Sequence, residues 1–323
     1  MLNKILVGGL MLAASSLSVS AQTAYPNKPV TVLVPFTAGG TADIFARMIS
    51  DHLSKTWGQP FVVENIGGGG GVIALQRLAR SQPDGSTIAI ASTSNLAIHP
   101  TLMGDKVGYE TLRDMAPVIQ VSIVPNVLVA NPERIKAKTV AELVAYLKEN
   151  PDKVAFGSAG NGTTQHLAGE LFQQSTATKM THVPYKGSSQ MLPDLLGGRI
   201  DIAFDNAPLL LPQVKAGKLV ALATATPERA PFDPNLPTVA ETVAGFQAVA
   251  WHGFVVPRAT PKEIVDKLGA EIRGFMQRPE TQQRFAELGA IPVATSPEEF
   301  AKLIASETER WKTVMQTANI KSE

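Results

Sequence analysis

Two stretches of the chain join a strand-like run to a helix-like run through small and hydroxyl residues. They read PFTAGGTADIFARMIS, starting at Pro35, and AFGSAGNGTTQHLAGEL, starting at Ala155. Glycine lets the backbone approach a ligand closely. The first amides of a helix have no partner within the helix and carry partial positive charge, which suits them to an anion. Each stretch is therefore a candidate anion site, although glycine and threonine at such positions also simply cap helices.

Neither stretch has the signature of a nucleotide site. A P-loop ends in Lys followed by Ser or Thr, and a dinucleotide site shows G-x-G-x-x-G with an acidic residue about 20 positions later. A further glycine run, residues 67–71, is more typical of a flexible connector than of a binding loop. If the two matched turns face each other at the carboxyl ends of their strands, they favour a small anion held at both ends.

Further polar residues follow predicted strands. Ser92, Ser94 and Asn95 end one strand, and Asp205 with Asn206 ends another. Because ligands of open α/β sheets lie beyond the carboxyl ends of the strands, these residues are candidates for the walls of a cleft. For the aspartate and the asparagine, ordinary loop structure is an equal alternative.

Three larger side chains allow two interpretations each. His166 could donate a hydrogen bond to a carboxylate or pack beneath the turn that precedes it. Phe36 and Trp251 could line the cleft, but an apolar residue beside a strand more often belongs to the core. The residue types alone do not decide between these uses.

Few residues indicate catalysis. The chain has five histidines without H-E-x-x-H spacing and no cysteine, which disfavours a transition-metal site. It also lacks the G-x-S-x-G elbow of α/β-hydrolases. Asp43 and Glu170 lie on the two helices and could form an acid/base pair, but no activated nucleophile accompanies them. We therefore predict a protein that is not an enzyme and uses no cofactor.

Composition bears on location and partners. Among 323 residues, 29 Lys and Arg stand against 28 Asp and Glu, and a net charge of +1 gives no field suited to nucleic acid. Residues 1–21 carry Lys4, an apolar run and small residues before Ala21, the pattern of a secretory signal peptide. A retained membrane anchor is the alternative. We predict an exported, periplasmic protein without membrane insertion after removal of the signal.

Alternating strand and helix patterns position these residues. A first βα series ends near Ser92, and a second begins near residue 121. The strand-like VAWHGFVVP and three amphipathic helices follow and most simply pack back on the first series, with a small third domain as the alternative. The chain would then cross between two lobes near Ser122 and Trp251, which makes a hinge and a cleft. The predicted parts are a signal peptide (residues 1–21), lobe 1 (22–122 and 250–323) and lobe 2 (123–249).

Six segments, in order, resemble signatures of the Bug family, the receptors of tripartite tricarboxylate transporters that are similar to TctC. They read YPNKPVTVLVPFTAGGTADIFAR, GQPFVVENIGGGGGVIA, PDGSTIAIASTS, GSAGNGTTQHLAGE, HVPYKGSSQMLPDLLGGRIDIAFDN and WHGFVVP. The resemblance implies a periplasmic binding protein fold, a Venus flytrap of two α/β lobes, each with a mostly parallel sheet flanked by helices and a hinge crossed twice. It also implies a small carboxylate ligand, often a dicarboxylate, in the cleft.

The resemblance implies site residues as well. They carry over from the two turns, one strand end and one segment before a helix: Phe36, Thr37, Ala38, Gly39, Gly40, Thr41, Asp43; Ser158, Ala159, Gly160, Thr163, Thr164, His166; Ser92, Ser94, Asn95; Asp205 and Asn206. Asn161 with Thr163 and Thr164 departs from a more common Gly-Ser pairing, which leaves the identity of the ligand open. The implied partners are the carboxylate and a two-part membrane permease, and we expect a monomer.

Two other functions stay possible on these residues. A periplasmic enzyme could act on a carboxylic acid through Asp43 and Glu170. A ligand-sensing adaptor could dock on a sensor kinase and carry no cargo. The residues do not distinguish an aliphatic acid from an aromatic one.

Overall fold

The computed structural model describes residues 25–317 and residue 320, so the predicted signal peptide lies outside the described residues. Strands and helices alternate along this part, as predicted. The strands are β1 Val30–Val34, β2 Phe61–Asn65, β3 Thr87–Ser92, β4 Met115–Ala130, β5 Ala155–Ser158, β6 Thr181–Pro184, β7 Ile202–Asn206, β8 Val220–Thr224, β9 Val249–Pro257 and β10 Ile291–Pro292. The helices are α1 Thr41–Trp57, α2 Val72–Ala79, α3 His99–Met103, α4 Thr111–Asp114, α5 Val140–Glu149, α6 Thr164–Thr176, α7 Ser188–Leu196, α8 Ala207–Lys215, α9 Lys262–Met276, α10 Pro279–Glu287 and α11 Pro297–Thr317.

The strands form a mixed sheet in the order β2-β1-β3-β9-β4-β7-β5-β6, with β8 and β10 also paired to β4. Pairing is parallel between β1 and both β2 and β3, and between β5 and both β6 and β7. The pairs made by β4 and β9 are antiparallel. Two sets of three parallel strands are therefore joined through β4 and β9, which return the chain in the opposite direction.

Strand β4 belongs to both sets. Its residues from Met115 to Pro125 pair with β9, and its residues from Asn126 to Ala130 pair with β7 and β8. We call the part with β1–β3, β9 and β10 the first half, and the part with β5–β8 the second half. The partners of β4 change between Pro125 and Asn126, within four residues of Ser122, and β9 begins at Val249, two residues before Trp251. The predicted lobe boundaries themselves stay a prediction.

Helix α1 shows how the core orients the site. Phe45, Ile49 and Leu53 recur every four residues, are fully buried, and pack in one core cluster with the strand residues of β1. Burial of each such side chain is worth about 1.5–3 kcal/mol. The apolar stripe therefore fixes the rotation and tilt of the helix, and with them the direction in which its first turn points.

The last three helices pack on the first half. Phe285 of α10 stacks on Phe45 with ring centroids 4.5 Å apart. Trp251 of β9 meets Phe300 of α11 edge-on at 5.5 Å. These apolar contacts join the carboxyl-terminal helices to the core of the first half.

The interpretation of residues 67–71 as a flexible connector is wrong. Gly69–Gly71 form a tight turn in which all three residues have a positive φ, and Gly70 and Gly71 are buried. A Cβ at Gly70 would lie 2.3 Å from His99 Nε2, and one at Gly71 would lie 2.4 Å from Asn95 Nδ2. Only glycine allows these neighbours to approach so closely, so the run is a packed element beside the cleft.

Candidate functional site

A cavity lies where the two halves meet, at the carboxyl ends of β1, β3, β5 and β7. Its volume is about 20 Å³, room for about one water molecule, so the walls of the cleft lie close together. No lysine or arginine of the described residues lines it. The lining residues are Phe36, Gly40, Thr41, Ala42, Ser92, Ser94, Ala159, Thr164, Gln165, Ser188, Asn206, Ala250 and His252.

Residues 36–43, here called loop one, present unused donors to this cavity. Gly40 is the N-cap of α1 and provides no side-chain cap. The amides of Thr41 and Ala42 have no hydrogen-bond partner among the described residues. Thr41 Oγ1 is buried and also lacks a partner. Because buried donors are nearly always hydrogen-bonded, this turn is suited to an acceptor from outside the protein.

Asp43 holds loop one in shape. Its carboxylate accepts from the Gly39 amide at 2.9 Å, from Arg47 Nε at 3.0 Å and from Asn65 Nδ2 at 2.9 Å. Burial alone would raise its pKa, but the hydrogen bonds from Arg47, Gly39 and Asn65 outweigh burial and lower it. Asp43 is therefore an ionised support behind the turn and does not line the cavity.

Residues 157–166, here called loop two, use most of their donors internally. The Gly160 amide donates to Ser158 Oγ at 3.1 Å, and the His166 amide donates to Thr163 Oγ1 at 3.4 Å. The Thr164 amide donates across the cleft to Ser94 Oγ at 3.2 Å. Loop two therefore offers fewer unused amides to the cavity than loop one does.

Two stacked histidines lie beneath loop two. The rings of His166 and His182 are 4.2 Å apart, and His166 Nδ1 accepts from the Gly162 amide at 3.2 Å. His182 Nε2 and Ser158 Oγ share a hydrogen bond of 2.7 Å. Burial, with a smaller effect of His166, lowers the pKa of His182 to about 3. Of the two uses foreseen for His166, this geometry is that of packing beneath the turn.

Three polar contacts join the walls of the cleft. Besides the bond from Thr164 to Ser94, Thr37 Oγ1 and Ser189 Oγ share a hydrogen bond of 2.7 Å. His99 Nε2 lies 3.0 Å from the Asn161 carbonyl oxygen, within hydrogen-bonding distance. The halves are thus in direct contact on both sides of the cavity.

Asn95 and Asp205 organise lining residues without lining the cavity. Asn95 Oδ1 accepts from Ser92 Oγ at 3.0 Å, and its Nδ2 donates to the Gly70 carbonyl at 2.7 Å. Asp205 is fully buried, and one of its oxygens, Oδ1, accepts three donors: Ser188 Oγ, Gln165 Nε2 and the Asn206 amide. Its Oδ2 has no partner. Burial raises the pKa of Asp205 to about 6, against the effect of these three hydrogen bonds.

The structure divides the predicted site residues into two groups. The lining residues among them are Phe36, Gly40, Thr41, Ser92, Ser94, Ala159, Thr164 and Asn206. Those that stand behind or beside the lining are Thr37, Ala38, Gly39, Asp43, Asn95, Ser158, Gly160, Thr163, His166 and Asp205. Ligand contacts of either group stay a prediction.

Five lining residues were missed: Ala42, Gln165, Ser188, Ala250 and His252. Ala250 and His252 flank Trp251 on β9, and alternate strand residues face opposite sides of a sheet. Trp251 is buried against Phe300, so its neighbours had to face the cavity. This alternation in VAWHGFVVP was the signal that could have found them.

Other chemistries find little support in the described residues. They contain no cluster of three or more histidine, aspartate or glutamate side chains that could hold a metal ion. Neither Asp43 nor Glu170 lines the cavity. Within the same residues, no helix is both long enough and apolar enough to span a membrane.

Known proteins resemble this chain in both sequence and fold. The family described as tripartite tricarboxylate transporter family receptor, TctC, matches residues 45–320. Protein BugT of Bordetella pertussis is 37% identical over 317 residues, which covers 97% of this chain and 96% of BugT.

Two solved structures resemble the fold over nearly their whole length. R. palustris Rpa4515 with adipate superposes with a TM-score of 0.89 at 37% identity and covers 92% of this chain and 99% of that one. MatC from Rhodopseudomonas palustris with bound malate gives a TM-score of 0.84 at 32% identity, with 90% and 99% covered. The chain therefore belongs to the TctC family of tripartite tricarboxylate transporter receptors.

Proposed function

We propose that this protein captures a small carboxylate, most simply a dicarboxylate, in the periplasm and delivers it to the membrane permease of a tripartite tricarboxylate transporter. The observation that carries the proposal is at loop one. There the amides of Thr41 and Ala42 and the buried Thr41 hydroxyl have no partners among the described residues and border the cavity. A carboxylate oxygen accepts such donors, and the amino terminus of a helix favours its negative charge.

The class of ligand follows from the lining and from the relatives. No lysine or arginine of the described residues lines the cavity, so its donors are amides, hydroxyls and neutral side chains. Such donors suit a small acid better than a large polyanion. Adipate in Rpa4515 and malate in MatC are both dicarboxylates. We extend that class to this chain and leave open whether the acid is aliphatic or aromatic.

Capture and delivery require two states of the cleft. A ligand shifts an open–closed equilibrium only by binding one state better. An acid on loop one, enclosed by Thr164 and Gln165 from the other wall, gains contacts only when the halves meet. The closed receptor would then be the form that the permease recognises, in a periplasmic protein exported by residues 1–21.

A thermal-shift screen against mono-, di- and tricarboxylates, with aromatic acids included, tests the proposal. A bound acid at 100 times its Kd should add about 2.7 kcal/mol of stability. Chromatography of the incubated acid should recover it unchanged, whereas a new product would favour the periplasmic enzyme. Growth on the acid after deletion of the permease separates transport from sensing by an adaptor.

A matched pair of variants links the shift to loop one. Gly39 and Gly58 both have a positive φ, 82° and 67°, and a Cβ at either would find no atom closer than 3.8 Å. Gly39→Val and Gly58→Val therefore carry a similar backbone strain of about 1–2 kcal/mol. Gly58 ends α1 far from the cavity, so only Gly39→Val should abolish the shift. Equal shifts in both variants would contradict the assignment.

A further inference from the structure

His252 occupies the floor of the cavity, where three strands run side by side. It lies opposite Ser92 of β3 and Ser122 of β4 in the strand registers. The residue is 2% exposed, lines the cavity, and its ring meets Phe45 edge-on at 5.6 Å. The position of the imidazole is thus determined by strand pairing and by the core.

Its partner on the protein side fixes which ring nitrogen carries the proton. Ser122 is fully buried, and the only hydrogen bond of its hydroxyl within the described part of the chain is with His252 Nδ1 at 3.3 Å. A buried hydroxyl hydrogen needs an acceptor, and among the described residues Nδ1 is the one hydrogen-bond partner of this hydroxyl. In the neutral ring, Nδ1 therefore accepts and Nε2 carries the hydrogen. Burial keeps the ring neutral by lowering its pKa to about 3.

The other ring nitrogen, Nε2, has no partner within the part of the chain that the structure describes. No described group hydrogen-bonds His252 Nε2, although the ring borders the cavity. An N–H that loses water without gaining an acceptor is destabilising. A ligand oxygen above β9 would remove that cost.

We propose that the Nε2–H of His252 donates a hydrogen bond to an oxygen of the bound acid and is a specificity-determining contact on the floor of the cavity. The inference rests on the proposed function, because it assumes an acid in this cavity. A neutral N–H in a fixed tautomer donates to a carboxylate or carbonyl oxygen there. It discriminates against an ammonium or a methyl group at the same place, which cannot accept its hydrogen.

Isothermal titration with the acid that gives the largest thermal shift, and with adipate and malate as fixed probes, tests the contact. His252→Phe should weaken binding about ten- to a hundredfold, the usual loss for a hydrogen bond to a charged group. His252→Gln should stay within about fivefold of the parent, because the glutamine amide reaches the place of Nε2. His252→Asn, whose amide reaches only the place of Nδ1, should behave like His252→Phe.

His52→Gln is the control. His52 pairs with Glu271 and stacks on Phe275, about 16 Å along α1 from Thr41. The His52→Gln variant should therefore bind the acid with the affinity of the parent. Equal affinity of His252→Phe and the parent would overturn the inference while leaving the proposed function intact. Failure of the parent to bind any acid would overturn both.

A second readout does not depend on ligand. Long-range proton–nitrogen NMR of ¹⁵N-histidine-labelled protein distinguishes protonated from unprotonated ring nitrogens. At pH 7, His252 should show hydrogen on Nε2 alone, and Ser122→Ala should allow the Nδ1 tautomer to appear. A parent ring with hydrogen on Nδ1, or on both nitrogens, would overturn the inference whatever the binding data.

Discussion

Loop one and loop two place a similar order of residue types, glycine followed by threonine at the start of a helix, on opposite walls of one cavity. Their helix caps differ. Gly40 caps α1 without a side chain, whereas Thr163 caps α6 with its hydroxyl. In loop two, Ser94 Oγ accepts a hydrogen bond from the Thr164 amide, while in loop one the Thr41 amide has no partner in the described chain.

The difference shows that a matched motif need not make a matched site. A side-chain cap and a partner across the cleft use up the donors that a helix start would otherwise offer. Loop two therefore contributes mainly to joining the walls, and loop one is the better candidate for the anion. The predictions below set equivalent positions of the two loops against each other.

The largest effect is expected when proline replaces the first helical residue. Thr41 and Thr164 both follow an extended residue, Gly40 or Thr163, which is compatible with proline at the next position. Thr41→Pro removes an amide and a hydroxyl proposed to bind the acid, and should weaken binding about a thousandfold in isothermal titration. Thr164→Pro removes one bond across the cleft and should cost only about tenfold.

Both proline variants should keep the parent's circular dichroism spectrum, because neither replaced amide lies within a helical hydrogen-bond ladder. Thr41→Val, which removes the hydroxyl alone, should fall between the parent and Thr41→Pro. Equal losses in Thr41→Pro and Thr164→Pro would show that the two loops hold the ligand equally, against the comparison drawn here.

The next largest effect is expected at Asp205, the buried carboxyl group of β7 in the second half. With its pKa raised to about 6 from 3.8, folded Asp205 keeps its proton over a range in which the unfolded chain has lost it. Its contribution to the free energy of unfolding therefore falls by about 2.4 kcal/mol as the pH rises from 4 to 7. The stability of Asp205→Asn relative to the parent should therefore rise by that amount between pH 4 and pH 7. Urea unfolding without ligand measures this difference. A constant difference would show that Asp205 ionises as in water.

Asp43 behind loop one should behave in the opposite way. Its pKa is lowered on folding, so its contribution is present at neutral pH and is lost as the pH falls through its folded pKa. Asp43→Asn should be less stable than the parent at pH 7 by about 1–2 kcal/mol, through weakened bonds from Gly39 and Arg47. The same urea series should show this deficit shrinking toward acid pH. A deficit that grows on acidification would contradict it.

The smallest effect is expected at the mouth of the cleft. Thr37→Val removes the hydroxyl that bonds Ser189 Oγ at 2.7 Å but keeps the shape of the side chain. Loss of one neutral bond that forms on closure should weaken binding about threefold to tenfold, mainly through faster dissociation in stopped-flow measurements. An unchanged dissociation rate would mean that this contact does not contribute to closure.

Several elements were predictable because their signals are local. Proline and valine runs with amphipathic helices between them indicated the alternation of β1–β3 with α1 and α2, since periodicity reflects burial along one segment. The packing of residues 67–71 was missed because it depends on Asn95 and His99, which come later in the chain. Gln165 and Ser188 were missed because Asp205, from another strand, orients them.

By itself the sequence determined the α/β alternation, the two glycine turns ahead of helices, and the lack of lysine and arginine between Phe36 and Asp43 and between Gly157 and His166. Only the tertiary structure decided which of those turns keeps its amides free. The Thr164 amide donates to Ser94, which lies 70 residues earlier in the chain. The proposed tautomer of His252 depends on Ser122, which lies 130 residues before it. Such pairings depend on distance in space, so they appear only once the two halves have come together.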